Sequence, residues 1–162
     1  DQVNSFAIIN TGYDYTKTLK VAILEGRDFD RSFNDSLSMI LNRAAAEYMG
    51  LRNPVGEIIA SNGKQYTVVG VLENMVMSSP TEQAQPTIFL FNRNSPRELM
   101  IRLPRDKSVE EAIAGIQKIY REHLPEYPFE YRFTDEVFNR RFSSLEVIGT
   151  LTNVFAVMAI FI

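Results

Sequence analysis

The sequence predicts an α+β fold, with mixed sheets and packed helices, on three observations. Short runs rich in β-branched and aromatic residues, such as 66–72 and 87–91, read as strands. Two segments carry explicit helix-start signals, Asn42 before 43–49 and Ser108 before an apolar stripe that begins at Val109. Strands and helices then intermix without the strict alternation of a doubly wound sheet.

Taken in order, residues 6–9 read as a strand with a turn at Thr11-Gly12, 13–19 as a short helix, and 21–24 as a strand ending at Gly26. Residues 28–36 are mostly Asp, Ser, Asn and Arg with two Phe, and are expected to form an exposed loop. Residues 39–41 form a strand leading into the helix capped by Asn42. Gly50 stands where a left-handed residue closes that helix, and Leu51 supplies the accompanying apolar contact. Pro54-Val55-Gly56 turns the chain into a strand over 57–60, and Asn62-Gly63 marks a two-residue hairpin whose return strand is 66–72. Residues 74–86 read as a loop.

Leu99, Ile101 and Leu103 alternate with Met100 and Arg102, and Phe129, Tyr131 and Phe133 alternate with Glu130 and Arg132. Both patterns predict half-buried strands. Between them, Ser108-Val109-Glu110-Glu111 is a capping box. It opens a helix with Val109, Ala112, Ile113, Ile116, Ile119 and Tyr120 on one face, closed by Pro125. Thr134 caps a last helix, with Asp135 and Glu136 at the positive end of its dipole and Phe133 and Phe138 as a hydrophobic staple. This helix runs into 147–162, where the last nine residues are all apolar. A membrane span needs about 20 such residues, so the expectation is a transmembrane helix beginning near 147. The competing expectation is a buried core helix. The opening Asp1, with no signal peptide, fits an excised segment.

Composition excludes several functions. Of 162 residues, 45% are hydrophobic and 23% charged, which is globular rather than disordered composition. A net charge of −3 gives no basic footprint, so nucleic acid is not expected as a partner. With no Cys there is neither a disulfide framework nor a thiolate site. Asp28, Asp30, Ser32 and Asn34 imitate the start of a calcium loop, but Phe33 replaces the turning Gly and Met39 the bidentate Glu. Asp14, Glu25 and Asp28 form a carboxylate cluster only if the fold brings them together. His123, the only histidine, sits in the last turn of a helix, where it complements the dipole and has no second His or Cys to work with. There is no phosphate-binding Gly-rich loop. No catalytic, cofactor-binding or metal-binding residue is assigned, and no enzyme activity is expected.

One ordered series of markers does point to a family. It runs Tyr13-Asp14-Tyr15 with Thr18-Leu19, then Leu24-Glu25-Gly26-Arg27-Asp28-Phe29, then Leu41-Asn42 with Ala44-Ala45. It continues through Met49-Gly50-Leu51 with Asn53-Pro54-Val55-Gly56, the strand 66–72, Pro128-Phe129-Glu130-Tyr131 and Asp135-Glu136 with Phe138. In this the sequence resembles the MacB-like periplasmic domain of FtsX-like ABC transporter permeases of the Bacteroidetes type. Glu73-Asn74-Met75 departs from the acidic-aromatic pair usual there, and is expected to have its own local partner.

The resemblance implies an extracytoplasmic domain, 1–146, on the periplasmic side of the bacterial inner membrane, with a transmembrane helix from 147. It implies two lobes, a porter-like one from 1–33 with 97–140 and an inserted one from 36–95. It implies work by transmission of ATP-driven motion for export or envelope tasks. The partners implied are a separate cytoplasmic ABC ATPase subunit, a second permease copy or paralogue, and a periplasmic or lipoprotein partner. Membrane attachment is through the C-terminal helix, and no cofactor is implied. Three alternatives stay open at the level of sequence: an extracytoplasmic ligand-binding or sensor domain, a soluble enzyme with an apolar core tail, and an adhesion module.

Overall fold

The structure is a computed structural model, and it describes residues 6–75, 84–92 and 98–134. The chain divides into two compact units, Asp1–Met77 with Thr81–Arg102, and Ser78–Pro80 with Leu103–Ile162.

The first unit is built on one mixed sheet. Its strands are β1 (Ala7–Thr11), β2 (Ile23–Gly26), β3 (Ser38–Asn42), β4 (Ile58–Ser61), β5 (Lys64–Leu72) and β6 (Thr87–Phe91). The order across the sheet is β1-β6-β3-β5-β2, with β4 also paired to β5. β1 runs parallel to β6 and β3 parallel to β5, while β3–β6, β2–β5 and β4–β5 are antiparallel. The helices α1 (Tyr15–Leu19) and α2 (Arg43–Tyr48) lie between strands in the chain.

β3 is the centre of this sheet, buried at all five positions. Alternate residues of a strand point to opposite faces, and β3 feeds two separate cores. Met39 and Leu41 join Ala45, Ala46, Val68, Ile88 and Leu90 on the α2 side. Ile40 joins Phe29, Leu72 and Phe89 on the other, with Tyr13, Tyr15 and Val21 packed around them.

Local signals act as the sequence predicts. The Asn42 side chain accepts from the Ala45 amide at 2.8 Å and starts α2. Gly50, at φ 68°, ends it: the Gly50 amide donates to the Glu47 carbonyl and the Leu51 amide to the Ala46 carbonyl, both at 3.0 Å. This paired closure is the Schellman arrangement, and Leu51 packs on the core beside it. Asn62 (φ 49°) and Gly63 (φ 74°) form the tip joining β4 to β5, both in the left-handed region that a tight hairpin requires.

Two expectations are corrected. Residues 28–36 are not uniformly exposed, since Phe29 and Asp35 are buried at 4% and 1% exposure. Residues 99–103 and 129–133 form no strands. Alternation shows which side a strand could bury, but a strand also needs a neighbour to hydrogen-bond. Leu99 stays 84% exposed, and the first segment is held instead by the Arg102 Nε, which donates to the Thr18 carbonyl at 2.6 Å. β1 and β2 share a sheet with the strands of 38–91. The helix expected from Thr134 onward and the apolar stretch 147–162 lie outside the described residues, as does most of the loop 74–86.

In the second unit, α3 (Val109–His123) is capped by Ser108, whose Oγ accepts from the Glu111 amide at 3.1 Å. Among the described residues, no helix is long and apolar enough to cross a membrane.

The tightest point in the sheet is where β2 meets β5. A Cβ on Gly70 would stand 2.2 Å from the Arg27 carbonyl oxygen, whereas one on Gly12 would meet nothing within 4 Å. Replacing Gly70 by Ala is expected to cost about 1–3 kcal/mol through forced backbone movement. Gly12→Ala should stay within about 0.5 kcal/mol. Urea unfolding midpoints of the two variants test this, and equal midpoints would remove the close approach as a constraint.

Candidate functional site

The polar groups that converge most closely in the described chain lie on the strap of residues 27–38, which links β2 to β3. Its centre is a bidentate ion pair. The Arg27 Nη2 donates to Asp35 Oδ1 at 2.8 Å and Nη1 to Oδ2 at 3.1 Å, with the Asp35 side chain fully out of solvent. The Ser38 hydroxyl (2.7 Å) and the Asp30 amide (2.9 Å) also donate to this carboxylate. Arg27 further donates to the Asp28 carbonyl at 3.0 Å and stacks 4.0 Å from the Phe33 ring centroid. Burial, the largest single influence, raises the Asp35 pKa. The hydrogen bonds from Arg27, Ser38 and the Asp30 amide, together with the guanidinium charge, outweigh it and leave the carboxyl below its ordinary value.

A second set of contacts brackets α2. The Asn42 side-chain oxygen accepts from the Thr87 amide as well as from Ala45, and its nitrogen donates to the Gln85 carbonyl at 2.9 Å. One buried amide thus caps a helix and seats the start of β6. The Asn74 side chain accepts from the Ala44 amide at 2.9 Å, and Glu73 pairs with Arg43 at 3.0 Å. These two contacts are the local partners of Glu73 and Asn74.

Most of the residues weighed from sequence are engaged in local contacts. Asp28 accepts from the Thr16 hydroxyl and from the Phe29 amide. Asp30 accepts from the Ser32 amide and hydroxyl, which lower its pKa, and Asn34 accepts from Ser36. Asp14 pairs with Lys17 at 3.0 Å, and Glu25 lies exposed on β2. Among the described residues no group of His, Asp and Glu is arranged to hold a metal ion. The His123 Nδ1 lies 2.9 Å from the Ile119 carbonyl on the exposed end of α3.

Sequence reasoning missed the Arg27–Asp35 pair. The two residues stand eight apart in a polar stretch with no helical or strand spacing to couple them. Asp35 stands three residues ahead of β3, and no sequence signal marks it as buried.

The comparisons with known proteins follow the same frame. The MacB-like periplasmic core domain family matches residues 1–119. The periplasmic region of MacB from Actinobacillus actinomycetemcomitans is similar in fold, with TM-score 0.53 and 13% identity over 71% of this chain and 55% of that one. The chain therefore spans about half the length of that structure. A domain of a putative permease protein from Porphyromonas gingivalis matches with TM-score 0.45 and 21% identity, over 79% of this chain and 68% of that one. The extracellular domain of the ABC-type transporter YknZ from Gram-positive bacteria gives TM-score 0.40 and 20% identity, over 51% and 41%. No curated protein matches the chain.

The Arg27–Asp35 pair sets two expectations. Arg27→Met leaves a buried carboxylate unpaired and should cost about 3–5 kcal/mol of unfolding free energy. Because the folded pKa of Asp35 lies below the ordinary 3.8, the folded state binds its proton less readily than the unfolded chain. Its contribution is whole above that ordinary value and is lost as pH falls through the lowered folded value. Asp35→Asn should flatten this acid limb of stability against pH, as read from urea unfolding at a series of pH values. An acid limb unchanged by Asp35→Asn would assign it to other carboxylates.

Proposed function

This chain belongs to the MacB-like periplasmic core domain family, a periplasmic domain of ABC transporter permeases, and from that membership we propose that it passes ATP-driven motion across the bacterial inner membrane for export or envelope work. The observation that carries the reading is the family match over residues 1–119. In this role ATP is hydrolysed by a separate cytoplasmic subunit, and the permease acts with a second copy or a paralogue. The domain itself turns over no substrate. It works on a periplasmic or lipoprotein partner by displacement, and the helix expected from Thr134 into 147–162 is its lever and membrane attachment.

The construction of the first unit supports such a role. A body moved by a lever must keep its shape, and here the sheet is tied internally by β3, by the Arg27–Asp35 clamp and by the Asn42 bracket. Packed cores of this kind deform little and pass displacement on.

These 162 residues contain no Cys, so a single cysteine placed here reports cleanly once any Cys elsewhere in the permease is replaced. In the full permease, Asn62→Cys at the exposed hairpin tip should react with a membrane-impermeant maleimide in cells with an intact inner membrane. Spin labels at that position in two assembled copies should change separation between nucleotide-free and ATP-bound states. Labelling only after the membrane is opened, or a fixed separation while ATP is turned over, would overturn the proposal. The purified 162-residue chain should hydrolyse neither ATP nor common ester, peptide or glycoside substrates. Activity that survives purification and disappears with a point substitution would make it an enzyme.

A further inference from the structure

The tip of the β4–β5 hairpin carries the only Asn-Gly pair in the sequence, Asn62-Gly63. Both residues are exposed and lie beyond Ser61 and Lys64, the last pair in the strand register, so the Gly63 nitrogen stands outside the ladder. Glycine has no Cβ to shield that nitrogen. The tip thus holds an unshielded backbone nitrogen directly after a side-chain amide, the arrangement from which a cyclic imide forms.

The ribbon behind the tip is thin. β3 meets β5 only from Thr67 onward, so among the described residues 64–66 have β4 as their one strand neighbour, and β4 has only β5. A two-stranded hairpin by itself is marginal in water. Ile59 and Tyr66 are a register pair and pack on the α2-side core, which anchors the ribbon at its base. The residues beyond them can open locally without disturbing the sheet, and opening releases Asn62 from its left-handed conformation at φ 49°.

The other described asparagines are placed differently. Asn53 precedes Pro54, whose nitrogen has no proton to lose. The side chains of Asn34, Asn42 and Asn74 are held by the amides of Ser36, Ala45 and Ala44. Asn10 lies within β1 and precedes the β-branched Thr11, and Asn92 precedes the long side chain of Arg93.

We infer that Asn62 is a self-modification site, and that its isoaspartate product opens the tip of the β4–β5 ribbon. The Gly63 nitrogen gives its proton to hydroxide and bonds to the side-chain carbonyl carbon of Asn62. The bond from that carbon to the side-chain nitrogen breaks, and ammonia leaves with a proton from water, which restores the hydroxide. Water then opens the imide at either carbonyl, leaving aspartate or isoaspartate at position 62 and one more negative charge. Isoaspartate carries the main chain through the former side chain and so lengthens a two-residue turn. That turn sets the register of β4 on β5, and the longer backbone no longer fits it.

The test ages the whole 162-residue chain in detergent at a series of mildly alkaline pH values. Peptide mapping should show the mass gain of an amide-to-acid change at residue 62 before any other described asparagine, at a rate that rises with pH. In urea, where strain in the turn plays no part, Gly63→Ala should slow the change about tenfold or more. Asn62→Asp adds the same charge on an ordinary backbone, and so separates charge from chain length. In hydrogen exchange the isoaspartate form should speed the amides of 58–66 about tenfold or more, with β3 and β6 unchanged and the Asn62→Asp chain still protected. Modification confined to urea, modification that begins at another described asparagine, or an unslowed Gly63→Ala chain overturns the site. Equal protection of 58–66 in the isoaspartate and Asn62→Asp forms overturns the opening of the ribbon.

Discussion

Gly26 and Gly70 face each other across β2 and β5 at a separation that no side chain fits. A Cβ on Gly26 would lie 2.3 Å from the Val69 carbonyl oxygen, and one on Gly70 would lie 2.2 Å from that of Arg27. Gly26 is also at φ 70°, a conformation that L side chains rarely adopt. This contact turns the chain as it leaves β2. The Arg27 amide then donates to the Val69 carbonyl at 2.9 Å, and its guanidinium reaches the Asp35 carboxylate. The strap that follows places Phe29 in the core before the chain enters β3.

The ion pair at the end of that turn is better understood as a specifier than as a large source of stability. Removing two charges from water costs several kcal/mol per ion, and the attraction between them offsets this only with good geometry and satisfied oxygens. Asp35 meets both conditions, with both oxygens taken by Arg27 and further donors at Ser38 and Asp30. What the pair fixes is the point at which the chain enters the sheet. β3 follows directly, and a slip of one residue would exchange the faces of Met39, Ile40 and Leu41, putting each into the wrong core.

Much of this frame was legible in the sequence because its signals are local. Asn42, Gly50 and the Asn62-Gly63 pair each act within a few residues, where spacing alone constrains geometry. The second duty of Asn42, holding the start of β6, was not legible, since its partners Gln85 and Thr87 are more than forty residues away. The Arg27–Asp35 pair was hidden for a different reason: its members are only eight apart but have no periodicity to couple them. The opposite failure occurred at 99–103 and 129–133. Their alternation is as regular as that of a true strand, but a strand is a relation between two segments, and a single segment's pattern does not contain its neighbour. The candidate site was legible least of all, because its contacts join residues of an irregular strap that has no repeating spacing.

Several of the markers by which this chain resembles its family have physical duties. Gly26 and Gly70 allow close approach, and Arg27 and Asp28 organise the strap. Asn42 and Gly50 bound α2, while Pro54 is buried beside Gly56, whose amide joins the ladder to the Val68 carbonyl at 2.8 Å. Every one of these duties concerns backbone geometry, and none presents a reactive group to solvent. In this chain such residues fix a shape. In the proposed role that is sufficient, because a displacement is transmitted by any body that keeps its internal distances fixed. Differences in what is moved can then reside in exposed side chains, on which the frame places no demand.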